Sequence, residues 1–195
     1  NLLLAVFLYS AVNWIGVQEP KAVLASPVPD SIAERAGIRG GEWVQRAGFA
    51  GEASEAVLSF ESLRWLLTRG ALDAKDVHLT LAARPDSEGR ELILPLSGLE
   101  AKDADPQLFQ RIGIVGPWTR PVIGDVLPDS PAARAGLRNG DVVSRVGTVA
   151  AVDGQQLRAL IRSSVQGREP IESPWLVERD GRTLTLMVMP DAKPE

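Results

Sequence analysis

The stretch PDSIAERAGIRGGE at residues 29–42 returns as PDSPAARAGLRNGD at residues 128–141, 99 positions later and with nine of the fourteen residues identical. A self-match of this kind implies two copies of one domain. In the first copy Ser31 can cap a short helix and Glu34, three residues on, can complete a capping box; in the second, Pro131 follows Ser130 at the first helical position. Gly37 and Gly136 stand where a left-handed residue would end each helix. Gly41 and Gly140 then permit tight turns into the apolar strands Trp43–Arg46 and Val142–Val146. These residues are structural punctuation, and their value lies in identifying the fold.

Outward from the repeat, each copy continues alike. Ser59–Gly70 carries Phe60, Leu63 and Leu67 on one helical face, and Asp153–Gly167 carries Leu157, Leu160 and Ile161 on one face, with Asp153 and Gln156 placed as cap and third residue. Paired strands follow. Val77, Leu79 and Leu81 alternate with His78, Thr80 and Ala82 ahead of Leu92, Leu94 and Leu96, while Trp175–Arg179 and Arg182–Val188 flank the hairpin signal Asp180-Gly181. Strand, short helix, strand, long helix and hairpin is the shared order, and Ser97–Pro106, rich in charge and small residues, reads as a linker.

The chain has 195 residues, 45% of them hydrophobic, with one histidine and no cysteine. That excludes disulfides, cysteine zinc sites, iron–sulfur clusters and a thiol nucleophile, and it leaves too few histidines for an H-E-x-x-H helix. A net charge of −4 gives no basic field for phosphate backbones, so no nucleic-acid partner is expected. His78 reads as a solvent-facing strand residue, and no G-x-S-x-G elbow is present. Leu2–Val17, LLLAVFLYSAVNWIGV, carries no charge. Shorter than the roughly 20 residues that cross a bilayer, it is expected to be the outer end of a transmembrane helix, with Trp14 at the interface.

The motif P-x-S-x-A-x-x-A-G-[IL]-x-x-G-[DE], with its preceding strand and following long helix, resembles a bacterial PDZ domain, twice over. Two copies directly after a membrane helix resemble the tandem PDZ region of RseP-type site-2 proteases, and Asn1-Leu2-Leu3-Leu4-Ala5 is similar to the end of that family's G-P-x-x-N-x-x-x-A stretch. The resemblance implies an α+β fold: the end of a transmembrane helix at 1–17, a first PDZ domain at 15–98, a linker at 99–107 and a second PDZ domain at 108–191. Each domain would be a small antiparallel β-barrel or sandwich with two helices. The family's H-E-x-x-H and L-D-G segments do not occur in this sequence, so catalytic residues and cofactors are expected to be none in this chain, with zinc in the parent enzyme.

A PDZ domain binds an extended peptide by strand addition. The resemblance implies an apolar-Gly-apolar loop for a terminal carboxylate, which fits Ile112-Gly113-Ile114 in the second copy and Ile15-Gly16-Val17 in the first. Leu157, Leu160 and Ile161 would form the wall that receives the peptide's last side chain. The implied role is substrate gating on the periplasmic side of a bacterial inner membrane, in regulated intramembrane proteolysis. Implied partners are the membrane and carboxyl-terminal or extended segments of membrane proteins such as anti-sigma factors. Two alternatives stand beside it: the PDZ region of a trypsin-like periplasmic serine protease, and a non-enzymatic membrane-tethered scaffold.

Overall fold

A computed structural model describes residues 19–99, 106–165 and 171–191. The expected membrane-helix end at 1–17 and the loop Ile15-Gly16-Val17 lie outside these residues. Among the described residues no helix is long and apolar enough to cross a membrane.

The elements in chain order are α1 (Ile32–Arg35), β1 (Trp43–Phe49), β2 (Glu55–Ala56), α2 (Phe60–Leu72), β3 (Val77–Ala82), β4 (Arg90–Leu94) and α3 (Pro106–Ile112). They continue with α4 (Pro131–Arg134), β5 (Val142–Val146), β6 (Val149–Ala150), α5 (Gly154–Ser163), β7 (Ser173–Arg179) and β8 (Arg182–Val188). Two four-stranded antiparallel sheets result, ordered β2-β1-β3-β4 and β6-β5-β7-β8. The 99-residue offset holds at the level of single hydrogen bonds. Val44 N–H donates to Ala22 O and Leu24 N–H to Glu42 O, as Val143 donates to Pro121 and Ile123 to Asp141. Both sheets break register at the same place, between Val44 and Arg46 and between Val143 and Arg145.

Local chemistry explains the turns. Ser31 and Ser130 cap their short helices by accepting from Glu34 N and Ala133 N, each at 3.2 Å. The expected capping box differs in detail. Ser31 N–H is already given to Val28 O, so the Glu34 carboxylate accepts instead from Asp30 N–H at 2.6 Å. Asp30 and its counterpart Asp129 take left-handed φ of 62° and 60°, a conformation that a short polar side chain tolerates. The long helix α2 begins with a full capping box between Ser59 and Ser62, and α5 is capped by Asp153.

An arginine ties each short helix to its sheet. Arg90 reaches Glu42 at 2.9 Å and Gly37 O at 2.7 Å; Arg179 reaches Asp141 and Gly136 O, both at 2.7 Å. The two arginines come from different strands, β4 and β7, so alignment of the copies alone does not pair them.

The cores are unequal. Leu24, Leu63, Leu67, Leu79, Leu94 and Leu96 are sealed in the first, whereas the second consists of Leu137, Val143, Ala151, Leu157, Trp175, Val177 and Val188 with half-buried neighbours. Leu108, Ile112 and Ile114, which the sequence reading assigns to the second domain, are buried in the first core. Each such side chain removed from water contributes about 1.5–3 kcal/mol.

Candidate functional site: one filled cleft and one open cleft

Each unit presents a cleft between its short helix, its long helix and the strand that precedes the short helix. In the first unit this cleft is filled by the chain itself. Residues 113–118 lie antiparallel on residues 23–28: Val28 N–H donates to Gly113 O at 3.1 Å, Leu24 bridges Pro117, and Trp118 N–H donates to Val23 O at 2.8 Å. Strand addition of this kind is the way a PDZ-type edge holds a peptide. Ahead of the strand, α3 inserts Leu108 and Ile112, and the Arg64 guanidinium of α2 lies 4.6 Å from the Phe109 ring centre. Gly113, at φ +95°, fits against α1 so closely that a Cβ there would stand 2.0 Å from Ser31 Oγ and 3.1 Å from Ala33 Cβ. Only glycine suits the position.

In the second unit no described residue fills the corresponding cleft. It has a volume of 390 Å³ and is lined among others by Ile123, Ala132, Leu137, Ile161, Val165 and Val188. Ile123, Ala132 and Leu137 are the repeat counterparts of Leu24, Ala33 and Ile38, all buried in the first core. Matching the cap Asp153 to Ser59 makes Ile161 and Val165 the counterparts of Leu67 and Ala71, also buried there. Ile123, Ala132, Ile161 and Val165 are only half-buried. The same wall is therefore sealed in one unit and in large part only half-buried in the other.

A joint couples the units. Asp153, fully buried, accepts from Gln155 N and Gln156 N at 2.8 Å through Oδ1 and from Ser26 N of the first unit at 2.5 Å through Oδ2. Gly40 gives it room, since a Cβ there would stand 3.1 Å from Asp153 Oδ2 and 2.6 Å from Ser26 Oγ. Trp118 Nε1 donates to Val152 O at 2.9 Å. Beside the joint a groove of 640 Å³ runs between the units, lined by Ser26–Pro29 and Glu34 on one side and Gln155, Arg158 and Arg162 on the other.

The expected site residues are thus distributed over both units. Ile112-Gly113-Ile114 sits in the first unit's cleft: Gly113 N–H closes onto Phe109 O at 2.8 Å, and its carbonyl is taken by Val28. Of the expected wall, Ile161 lines the second cleft, Leu157 is buried beneath it and Leu160 packs against the core margin. Sequence reasoning missed the self-filling of the first cleft, although Pro106 at a helix start followed by Leu108 and Ile112 one turn apart is a legible signal.

Electrostatics in the second unit centre on Asp141. The Arg179 guanidinium bonded to it holds this buried carboxyl below the usual carboxylate range, against the opposing effect of burial. Among the described residues no group of three or more His, Cys, Asp or Glu side chains could hold a metal ion.

Comparison with known proteins places this geometry. Residues 122–172 match the PDZ domain family. A protein of Ralstonia nicotianae, named as a zinc metalloprotease, is 32% identical over 193 residues, covering 96% of this chain and 40% of its own length. The regulator of sigma-E protease RseP of Escherichia coli K12 is 31% identical over 202 residues, covering 100% of this chain and 41% of the relative. A Brucella suis protein named as a DegP-like periplasmic serine endoprotease is 28% identical over 191 residues, covering 82% of this chain and 36% of its own. The chain spans about two fifths of the length of the metalloprotease relatives it matches. On a similarity that runs from one end of the sequence to the other, together with the PDZ match in its second half, the chain resembles the PDZ region of RseP-type site-2 proteases.

Proposed function

We propose that this chain is a tandem of two PDZ domains that gates substrate access to an intramembrane zinc metalloprotease on the periplasmic face of a bacterial inner membrane. The observation that carries the reading is the similarity to RseP, 31% identical over the whole chain, against 28% over 82% of it for the DegP-like relative. The hydrogen-bond register repeated at 99 residues supports a PDZ fold for both units. The open cleft beside Ile161 supports peptide binding by the second unit, and the groove between the units supports a concave filter that admits trimmed membrane proteins and excludes those with bulky outer domains. The substrates in this reading are membrane proteins already cut once, anti-sigma factors among them, and zinc belongs to parts of the longer protein outside the described residues.

The test is Ile161→Arg in the full-length protein, which places a charge in the apolar cleft. Cleavage of intact and trimmed substrates is then compared; an unchanged preference between the two refutes gating. The DegP-like similarity favours a second reading, a PDZ region beside a serine protease domain. A full-length coding sequence with H-E-x-x-H on one segment and L-D-G on another decides between them.

A further inference from the structure

The two clefts are repeats of one site, and the first shows what fills it. Its occupant is an internal segment with chain continuing on both sides: a helical turn bearing Leu108 and Ile112, then Gly113, then Ile114 at the start of an added strand. The second cleft offers counterparts of the same wall, and its strand ends in the exposed Leu127, the counterpart of Val28, whose N–H donates to Gly113 O in the first unit. Its chemistry is unsuited to a terminal carboxylate. Among the described lining residues none is cationic, and the single charged one, Asp191, is an anion already paired with Arg134. The apolar-Gly-apolar loop that would cradle a carboxylate is committed to the first unit, with Gly113 N–H bonded to Phe109 O.

We infer that the cleft of the second unit recognises an internal, apolar helix-then-strand segment of a partner protein, with apolar side chains spaced as Leu108, Ile112 and Ile114 are, and that it needs no free carboxyl terminus. This rests on the reading of the second unit as a peptide binder and names the ligand class of that site. The apolar wall contacts side chains and is indifferent to how the chain continues.

The probe is a synthetic peptide of this chain's own residues 106–118, PQLFQRIGIVGPW, acetylated at its start and prepared both as the free acid and as the amide. Binding to the full chain is measured by calorimetry and by amide chemical shifts. The expected result is equal affinity for the two forms within about twofold, with shifts at Ile123, Ala132 and Leu137. Replacing the peptide's central Ile-Gly-Ile by Asp-Gly-Asp should weaken binding at least tenfold. Ile161→Arg in the protein should abolish it, and the shift map locates the site even where that variant loses structure. Shifts confined to Leu24, Ala33 and Ile38 overturn the inference. So does binding at least tenfold tighter for the free acid, or binding only of unrelated peptides that end in an apolar residue with a free carboxylate; those two outcomes leave the peptide-binding reading intact. Binding of neither class overturns both.

Discussion

Gly113→Ala separates the two accounts of where the inter-unit segment belongs. At φ +95° an L side chain is strained by about 1–2 kcal/mol. The new Cβ would stand 2.0 Å from Ser31 Oγ and 2.5 Å from Ser31 Cβ, and relieving such overpacking takes about 1–3 kcal/mol. Displacing Ser31 also loosens the cap it gives to α1. The first unit should therefore lose about 3 kcal/mol. With a urea dependence of about 1.5 kcal/mol per molar for a domain of this size, its midpoint falls by about 2 M. Urea titration followed by hydrogen exchange tells which sheet yields: exchange should accelerate in Trp43–Leu94 and leave Val142–Val188 unchanged. Gly136→Ala is the matched control, because Gly136 has φ +76° with no atom within 4 Å of an added Cβ. It should cost the second unit about 1–2 kcal/mol of strain alone. A midpoint shift under about 0.3 M for Gly113→Ala, or loss of protection in the second sheet in place of the first, refutes the assignment of the segment to the first cleft.

Leu108→Ala leaves a cavity in the same place and should destabilise the first unit by about 2–5 kcal/mol, read by the same titration. Asp153→Ala removes the cap of α5 and the bond to Ser26 together. It should cost about 1–2 kcal/mol and widen the distribution of inter-unit distances in small-angle scattering, while an unchanged profile shows that the joint lies elsewhere. Asp141 has a depressed carboxyl pKa in the folded state. Its contribution is therefore present above the unfolded value of about 3.9 and fades as the pH falls below it toward the folded value. Denaturation midpoints of the second unit should drop in that acid range, and Asp141→Asn should lower stability near neutrality and flatten the acid dependence.

The parts of the fold legible in the sequence are those with local causes. Ser130-Pro131, Gly136, Gly140 and Asp180-Gly181 name their turns because cap and turn chemistry acts within a few residues. The apolar face that Leu157 and Ile161 share was legible from helical spacing, but that spacing does not say which apolar residues are sealed and which are only half-buried. Leu157 and Ile161 share a face, and the difference between them is whether something lies on top. Glu34 shows the limit of even local rules. Its carboxylate goes to Asp30 N–H because Ser31 N–H has another acceptor within reach.

The sequence by itself determined that one architecture occurs twice and that each copy ends its helices and turns its strands at set glycines and serines, since those preferences act between near neighbours. The tertiary structure alone decided which copy takes residues 106–118. Leu108, Ile112 and Ile114 are apolar residues whose spacing names no partner, and only three-dimensional packing shows them closing the first cleft.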